Sequence, residues 1–351
     1  MATQTRQLAA LLRDEGVAVD LIQINTPYRP AWVARFRGVR ALFRLIPYLL
    51  CLRRAMGRND VMHLMANSGW SWHLFAMPAV LVAKACGLPT VINYRGGKAK
   101  EFLRRQHRWV VPVLKAADVL AVPSAFLEGV FQPFGLQTTI VPNIVDLSRF
   151  DNGDSYRDDL TSAPHLVVTR NLETIYDIPT ALEAFAHVRE SKPEARLTVA
   201  GIGPQRDSLV NKARRLHLGD SVRFAGGLER KEMALLYSSA HIMLNPSRVD
   251  NTPNAILEAW ASGAAVISTN VGGVPHLVKN GEDAILVPPG CPRAMADVVL
   301  SVLESRERWN ALRLAGRRAA DQCSWEHVGE VWLEIYRDLA ARKDTCRKRV
   351  P

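Results

Sequence analysis

Two carboxylates and a predicted helix start lie close together in the segment of residues 246–290. Asp250 and Glu258 stand eight residues apart, and Thr252-Pro253 precedes the apolar run that predicts the helix carrying Glu258. The N-terminus of a helix presents unpaired backbone N–H groups and the positive end of the helix dipole, which together suit a phosphate. A carboxylate further along the same helix can accept hydrogen bonds from sugar hydroxyls. This one segment could therefore supply both kinds of contact that a nucleotide sugar needs.

The residues at this helix start have a structural and a functional interpretation. Thr252 is a good N-cap residue, with Pro253 at the first helical position. Asn251, Thr252 and Asn254 also stand where a bound diphosphate or sugar would meet them. The two interpretations are compatible, because a capped helix start is what exposes the backbone amides.

Apolar strands alternate with amphipathic helices along the chain, which predicts α/β domains with parallel sheets covered by helices. In the first half the predicted strands are Val17–Ile22, Val61–Leu64, Pro89–Asn93, Val119–Val122 and Thr139–Val141, with helices over Trp72–Cys86 and His107–Ala116. In the second half the predicted strands are Leu166–Thr169, Arg196–Ala200, Val222–Ala225, Ile242–Asn245 and Ala265–Ser268. The predicted helices there are Pro179–Glu190, Gln205–Leu216, Lys231–Ser239, Asn254–Ala261, Pro292–Glu304, Arg306–Cys323 and Trp325–Arg342.

This pattern predicts two domains, over residues 1–150 and 164–323, joined by the polar segment 151–163. A C-terminal helix within residues 324–351 is expected to pack back toward the first domain. Ligands of open parallel sheets bind beyond the carboxyl ends of the strands, so we expect the site in a cleft between the domains. Met1 leads into a helix over Thr5–Asp14, where a doubly wound sheet normally opens with a strand. We therefore expect the first strand to be lost or to be encoded upstream of Met1.

Basic charge is concentrated in the first half of the chain. The net charge is +11, and residues 1–150 carry 19 Lys and Arg against 8 Asp and Glu, while the remainder carries 26 of each. Segment 35–58 contains seven arginines interleaved with apolar and aromatic residues. Such a segment suits an anionic membrane surface, at about 1 kcal/mol per basic residue near the lipid. An ordinary solvated helix face is an alternative; nucleic acid is a weaker one, because no recognised nucleic-acid motif accompanies the charge.

Several other classes of protein are disfavoured. The chain has no signal peptide and no apolar run of the ~18 residues that span a bilayer. Its five cysteines are scattered without metal-ligand spacing, which favours reduced thiols. Gly201-x-Gly203 after a predicted strand is a weak nucleotide signal, and the longer glycine motif of a dehydrogenase is not found.

Short motifs follow one another along nearly the whole chain: Asp60–His63, Val141–Asp146 with Arg149-Phe150, Gly201–Pro204, Leu236-Tyr237, Asn245–Ser247, Leu257–Ala259, Gly272–Pro275 and Leu286–Gly290. Each is weak alone, but in this order and spacing they resemble the family-4 glycosyltransferases of GT-B architecture, which has two Rossmann-like domains and an interdomain cleft. The resemblance implies a sugar-nucleotide donor, retention of anomeric configuration and no divalent metal. The sequence lacks an Asp-x-Asp motif, which fits the last expectation.

The resemblance also implies roles for the carboxylates. Glu258 matches the second carboxylate of the family's paired glutamates, which binds the donor ribose. Asp250 matches the first, which lies near the donor sugar, but it is one methylene shorter than Glu and its reach differs.

Phosphate binding is expected from Arg170, which matches the family's diphosphate-binding arginine. A guanidinium offers paired donors to phosphate oxygens. The lysine that follows in the family is replaced here by Tyr176-Asp177. Charge neutralisation would then depend on Arg170 and the helix amides, with Arg206 and Arg248 as candidate substitutes.

In the N-terminal domain, the histidine that many relatives place near the transferred sugar is replaced by Arg95. Arginine stays protonated and cannot act as a base, but it could hold an anionic acceptor or a donor phosphate. His63 could line the acceptor side or be a packed, hydrogen-bonded histidine. The glycines Gly203, Gly272 and Gly273 are candidates for contact with substrate, because glycine lets backbone approach a ligand closely.

We therefore predict a retaining glycosyltransferase that moves a hexose-type sugar from a sugar nucleotide to a lipid-linked or polysaccharide acceptor in cell-envelope glycan synthesis. The expected location is cytoplasmic, peripheral at the inner face of the membrane, with an anionic membrane surface as a partner and without nucleic acid, cofactor or metal. The catalytic candidates are Arg95, Arg170, Asp250 and Glu258. Two alternatives remain, a nucleotide-sugar epimerase of the same fold and a non-catalytic, membrane-associated protein that binds the donor.

Overall fold

The computed structural model describes residues 2–24, 40–150 and 163–347. The chain divides into two compact units, one formed by Met1–Pro142 with Val328–Pro351 and the other by Asn143–His327. Of the predicted linker 151–163, residues 151–162 lie outside the described residues, as do residues 35–39 of the arginine-rich segment. None of the helices in the described ranges is long and apolar enough to cross a bilayer.

The first unit is built on a parallel sheet of four strands in the order β1-β2-β3-β4. The strands are β1 (Met62–Ala66), β2 (Thr90–Tyr94), β3 (Val119–Val122) and β4 (Thr139–Ile140). The helices before and between them are α1 (Ala2–Asp14), α2 (Arg40–Met56), α3 (Met77–Ala85), α4 (Ala99–Lys115) and α5 (Ala125–Phe131). A π-helical turn, Trp72–Ala76, leads into α3. The predicted helix Thr5–Asp14 and the last four predicted strands of this half are confirmed.

The predicted strand Val17–Ile22 is wrong. The segment after α1 is irregular, and Arg13 donates from its guanidinium to the carbonyl oxygen of Val19 at 2.8 Å, so this carbonyl is engaged by a side chain. Partly buried and exposed residues still alternate there, and Ile22 and Ile24 pack against the core of the unit. The alternation that predicted a strand thus reflects burial on one side, without the ladder of backbone hydrogen bonds that makes a strand.

The second unit is built on a parallel sheet of six strands in the order β10-β9-β8-β5-β6-β7. The strands are β5 (His165–Thr169), β6 (Arg196–Ala200), β7 (Val222–Gly226), β8 (Ile242–Asn245), β9 (Ala265–Thr269) and β10 (Ile285–Val287). The helices are α6 (Ile178–Ser191), α7 (Arg206–Arg215), α8 (Arg230–Ser239), α9 (Asn254–Ala261), α10 (Val274–Leu277), α11 (Pro292–Leu303) and α12 (Arg306–Asp321). The last helix, α13 (Trp325–Arg347), belongs to the first unit from Val328 onward.

Alternating side chains on the strands of the second sheet enter two different cores. Leu166 and Val168 of β5 pack with α6 and α11, whereas Val167 packs with Tyr237 of α8 and Trp260 of α9. Successive residues of a strand point to opposite faces, so a strand that is apolar throughout is buried on both sides. The sheet is therefore covered by helices on both faces, which fixes the position of the loops at its carboxyl edge.

Candidate functional site

The strand order of the second sheet reverses at β5, which pairs with β6 on one side and with β8 on the other. Ligands of open α/β sheets bind beyond the carboxyl ends of the strands at such a point of reversal. Arg170 follows directly on β5, and Asp250 lies in the loop after β8. The sheet thus brings together two residues that are 80 positions apart in sequence.

Arg170 is held from two directions. Its Nη2 donates to Asp250 Oδ2 at 2.5 Å, and the two side chains are only 11% and 10% exposed. Its guanidinium carbon lies 4.1 Å from the centre of the Tyr176 ring, a cation–π contact. Its Nε is buried without a hydrogen-bond partner among the described residues.

Asp250 is a buried carboxylate. Burial raises its pKa above the ordinary value, while Arg170 and hydrogen bonds from Ser247 and the backbone N–H of Asn251 act in the opposite direction. The Asn251 N–H donates to Asp250 Oδ1 at 3.0 Å. The arginine and the loop together therefore hold the carboxylate at a fixed place.

Glu258 lies on α9 and is supported by Tyr237 of α8. The Tyr237 hydroxyl donates to Glu258 Oε2 at 3.3 Å and lies 2.5 Å from Thr169 Oγ1 at the end of β5. Burial raises the pKa of Glu258 to about 7, although the Tyr237 hydrogen bond and the Arg170 charge lower it in part. A carboxyl group that titrates near neutrality thus lies within the electrostatic influence of Arg170.

The glycine loops of the second unit make room for neighbouring backbone. A Cβ atom on Gly203 would lie 2.4 Å from Leu172 O, and one on Gly272 would lie 2.1 Å from Asp250 O. One on Gly273 would lie 2.0 Å from the carbonyl oxygen of Asn251, and its N–H donates to Asp250 O at 2.9 Å. The close approach that glycine permits is therefore between loops of the protein, and it holds the loops of Arg170 and Asp250 in position.

The helix start differs from its prediction, because Pro253 is itself the N-cap and Thr252 makes no capping hydrogen bond. Thr252 Oγ1 is buried without a hydrogen-bond partner in the described part of the chain. Pro253 has extended backbone, with φ −69° and ψ 114°, so the first helical residue is Asn254 and the N-cap falls one residue after Thr252. Asn143 holds this turn, since its Nδ2 lies 3.1 Å from Thr252 O and 2.6 Å from Asn254 Oδ1.

Tyr176 and Asp177, which stand where the family has a lysine, each contact an arginine. Tyr176 stacks on Arg170, while Asp177 Oδ2 accepts a hydrogen bond from Arg248 Nε at 2.8 Å. Arg248 is largely exposed beyond this contact, with 61% of its side chain accessible. Arg206 is an exposed residue at the start of α7, and its Nη1 lies 3.7 Å from Asp207 Oδ1.

In the first unit, His63 and Arg95 belong to one partly buried hydrogen-bonded chain. Arg95 Nε donates to Asn93 Oδ1 at 3.0 Å, and Asn93 Nδ2 lies 3.2 Å from His63 Nε2. His63 Nδ1 lies 2.6 Å from the Tyr336 hydroxyl on α13, and the imidazole packs 4.8 Å from the Trp332 ring. Burial and, secondarily, Arg95 lower the pKa of His63 to about 3, while burial lowers that of Arg95 to about 10.

This chain determines the tautomer of His63. Arg95 is only a donor, so the Asn93 oxygen faces Arg95 and the Asn93 amide N–H donates to His63 Nε2. His63 Nε2 is then the acceptor, and Nδ1 carries the proton that it donates to Tyr336. Both nitrogens of His63 are therefore engaged by the protein, which matches the packed, hydrogen-bonded interpretation of this residue.

The sequence match to a known family model lies within the second unit of the chain. A family model described as "Glycosyl transferases group 1" matches residues 161–319. The D-inositol 3-phosphate glycosyltransferase of Segniliparus rotundus is 30% identical, over 96% of this chain and 84% of its own. This chain belongs to the glycosyl transferases group 1 family.

Other similarities of this glycosyltransferase agree with that assignment. The GDP-mannose-dependent alpha-(1-6)-phosphatidylinositol monomannoside mannosyltransferase of Mycobacterium tuberculosis is 27% identical over 64% of this chain and 63% of its own. Sucrose-phosphate synthase from Thermosynechococcus elongatus superimposes with a TM-score of 0.75 at 20% identity, over 96% of this chain and 93% of that one. HepE of Anabaena, solved with UDP and glucose, gives a TM-score of 0.70 at 18% identity, over 94% and 88%. The protein is a glycosyltransferase enzyme of GT-B fold.

The structure adds residues of the glycosyltransferase that the sequence did not single out as site residues. They are Tyr237 behind Glu258, Tyr176 on Arg170, Asn143 at the α9 start, and Asn93 and Tyr336 around His63. Tyr237 and Asn143 stand in the motifs that carry the family resemblance, and that was the available signal. Tyr176 is only six residues from Arg170 and stands where the family has a lysine, whereas Asn93 and Tyr336 lie 30 and 273 residues from His63 and no local pattern indicates them.

Proposed function

We propose that this glycosyltransferase moves a hexose-type sugar from a sugar nucleotide to a lipid-linked or polysaccharide acceptor, with retention of anomeric configuration and without a metal. The observation that carries the proposal is the constellation of Arg170, Asp250 and Glu258 beyond β5 and β8. The names of the relatives support a nucleotide-activated donor, since one is GDP-mannose-dependent and another was solved with UDP. Assignment to family 4 of the glycosyltransferases is part of the same proposal.

In the proposed complex, Glu258 accepts hydrogen bonds from the ribose of the donor. Arg170 donates from its guanidinium to the diphosphate, and the N-terminal amides of α9 face the same charge. Asp250 lies beside Arg170, where it can accept hydrogen bonds from hydroxyls of the transferred sugar. The donor would be positioned by contacts made within the second unit.

The proposed reaction breaks the bond between the anomeric carbon and the diphosphate oxygen, and the bonding electrons leave with the diphosphate. The acceptor hydroxyl attacks the anomeric carbon from the same face as the departing diphosphate. The proton of this hydroxyl passes to the oxygen of the diphosphate that leaves. Arg170 and the helix amides stabilise the negative charge that develops on the diphosphate, which is the usual largest contribution to such a barrier. In this mechanism no protein nucleophile is required.

Cell-envelope glycan synthesis at the membrane is the proposed setting. One relative acts on a phosphatidylinositol mannoside by its name, and this supports a lipid-linked acceptor. Helix α2 supports the same setting, because Phe43, Ile46 and Leu50 are exposed at helical spacing while Arg53 and Arg54 are exposed at its end. A helix with an exposed apolar stripe and terminal basic residues suits the surface of an anionic bilayer.

The test is a panel of UDP-, GDP- and ADP-sugars incubated with membrane-extracted acceptor and read by mass spectrometry. A sugar-linked acceptor is expected from one donor, with the anomeric configuration of the donor. Glu258→Ala is expected to abolish turnover, while Glu304→Ala, at an exposed position directly after α11, serves as the control with wild-type rates.

The same panel separates the two alternatives. An epimerase would convert the sugar nucleotide in the absence of acceptor. A non-catalytic binding protein would show a donor-dependent rise in melting temperature with no product. Wild-type turnover in Glu258→Ala would refute the site.

A further inference from the structure

Helix α4 has a strongly basic exposed side. Among residues 98–115, all of them described, the basic side chains are exposed: Lys98, Lys100, Arg104, Arg105, Arg108 and Lys115. The single acidic residue in this range is Glu101, which forms an exposed ion pair with Arg105 at 2.8 Å. Helix α4 is kinked at Gln106, and residues on both sides of the kink are buried, such as Phe102, Leu103, Val110 and Leu114. The basic charge that the sequence concentrates in residues 35–58 thus recurs on a second helix.

Two exposed tryptophans lie on α4 or near it. Trp109 of α4 is 74% exposed, and Trp70 before the π-helical turn is 80% exposed. Trp70 is linked to α4 through His73, whose ring lies 6.4 Å from Trp70 and 5.7 Å from Phe102. Large aromatic side chains are mostly buried in proteins, and an exposed tryptophan beside basic residues suits the boundary between lipid headgroups and acyl chains.

We propose that the first unit binds an anionic lipid bilayer through this α4 surface, formed by the six basic residues of 98–115 with Trp70 and Trp109. This surface would hold the enzyme at the membrane that contains the proposed lipid acceptor. The biological purpose of the surface rests on the proposed function, whereas the binding itself does not. Lysine and arginine would contact lipid phosphates, and the two indole rings would enter the interfacial layer. Charge complementarity alone would also admit a polyanion in solution, but the exposed indoles favour a bilayer.

The experiment uses the full chain and sedimentation with vesicles of phosphatidylcholine containing about one third phosphatidylglycerol, compared with pure phosphatidylcholine. Binding is expected only to the anionic vesicles, and it is expected to weaken as salt rises from 0.1 to 1 M and the Debye length falls from about 10 to 3 Å. Arg104→Gln with Arg108→Gln is expected to weaken binding about 25-fold, about fivefold for each charge. Arg214→Gln with Arg215→Gln, two exposed arginines of α7 in the second unit, is the matched control and should bind like wild type.

Tryptophan fluorescence provides a second measurement. Anionic vesicles should shift the emission of the wild type to shorter wavelength, and Trp70→Phe with Trp109→Phe should remove that shift. The proposal is overturned if anionic vesicles do not bind, if the α4 and α7 variants weaken binding equally, or if heparin binds while vesicles do not. Calorimetry with sugar nucleotides in the absence of vesicles tests the second unit separately, so failure here is distinguishable from failure of the proposed transfer.

Discussion

At the scale of single residues, Arg170 depends on a stacking partner as well as on charge. Tyr176 lies under its guanidinium at 4.1 Å, and Asp250 fixes one end of it. Lysine at this position would keep the charge but would lose the planar stack and the paired donors.

We expect Arg170→Lys to lower kcat/KM by about 100- to 1000-fold, the usual effect of removing one donor from developing charge. Tyr176→Phe keeps the ring and is expected to stay near wild type, whereas Tyr176→Leu is expected to lose up to about tenfold. Steady-state kinetics with the preferred donor measures these effects. Equal losses in the Phe and Leu variants would show that the ring does not hold Arg170.

Glu258 makes donor binding depend on pH. Because its pKa is raised to about 7, the carboxyl is neutral at lower pH and accepts hydrogen bonds poorly. Donor affinity is expected to be highest above pH 7 and to fall about tenfold per pH unit well below it. Calorimetry between pH 5.5 and 8.5 measures this, and Glu258→Gln should bind weakly with a flat profile.

The raised pKa of Glu258 makes the stability of the fold depend on pH in the opposite direction to donor affinity. A folded-state pKa above the unfolded value means that folding favours the protonated carboxyl, so this group lowers stability as pH rises from about 4.5 to about 7, and the loss stays constant at higher pH. Glu258→Gln removes the buried charge and is therefore expected to raise the melting temperature at pH 8. A melting temperature below that of the wild type at pH 8 would contradict the raised pKa of Glu258.

His63 is expected to remain neutral at every pH at which the protein is folded and active, because its pKa is lowered to about 3. Its proton is expected on Nδ1, the nitrogen that faces Tyr336. Long-range ¹H–¹⁵N correlation of histidine-labelled protein reports both properties, with His63→Gln for assignment. A titration near pH 6.5, or a proton on Nε2, would exclude the Arg95–Asn93–His63–Tyr336 chain.

The individual candidate residues could be read from the sequence, whereas their supports could not. Arg170, Asp250 and Glu258 stand at strand ends and on a helix that the apolar pattern locates. The protonation and orientation of Glu258 depend on Tyr237 and, through it, on Thr169, and these contacts arise only through tertiary packing. Burial of Glu258 in particular is a property of the folded unit, since a carboxylate on a helix is ordinarily solvated.

At the scale of elements, two glycines allow the effect of close packing to be distinguished from the effect of backbone conformation. Gly272 and Gly281 both have positive φ, at 52° and 85°, but a Cβ on Gly272 would collide with Asp250 O whereas one on Gly281 meets nothing within 4 Å. Gly281→Ala is expected to cost about 1–2 kcal/mol, from the left-handed backbone alone.

Gly272→Ala is expected to destabilise more than Gly281→Ala and also to weaken donor binding, because the loop of Asp250 must move. Thermal unfolding and calorimetry on the same two variants measure both effects. Donor affinity that falls equally in the two variants would show that Gly272 has no specific part in placing Asp250.

Regular elements were largely predictable from the sequence, and the misses have physical causes. Parallel strands buried on both faces give apolar runs that are easy to locate, as for β6 and β8. Val17–Ile22 has the same apolar character but no strand pairing, which sequence periodicity does not report. The three-residue β10 and the start of α9 depend on pairing and turn geometry, which extend beyond any local window.

At the scale of the whole molecule, we expect turnover to be independent of divalent metal, since charge neutralisation is assigned to Arg170 and the α9 amides. EDTA in the assay should leave the rate within about twofold of the untreated enzyme, a change far smaller than the contribution of one charge-stabilising donor. A loss that added Mg²⁺ or Mn²⁺ restores would refute this assignment.

The division of the chain has a consequence for its synthesis. The first unit is discontinuous, because Trp332 and Tyr336 of α13 pack on His63 although residues 143–327 intervene. A ribosome would therefore release the complete second unit before the residues that finish the first have been made. The His63–Tyr336 contact joins positions 273 residues apart, and closure of so long a segment is slow relative to local folding. The unit whose synthesis begins first is thus expected to be the last to become protease-resistant, which pulse-labelled nascent chains would reveal.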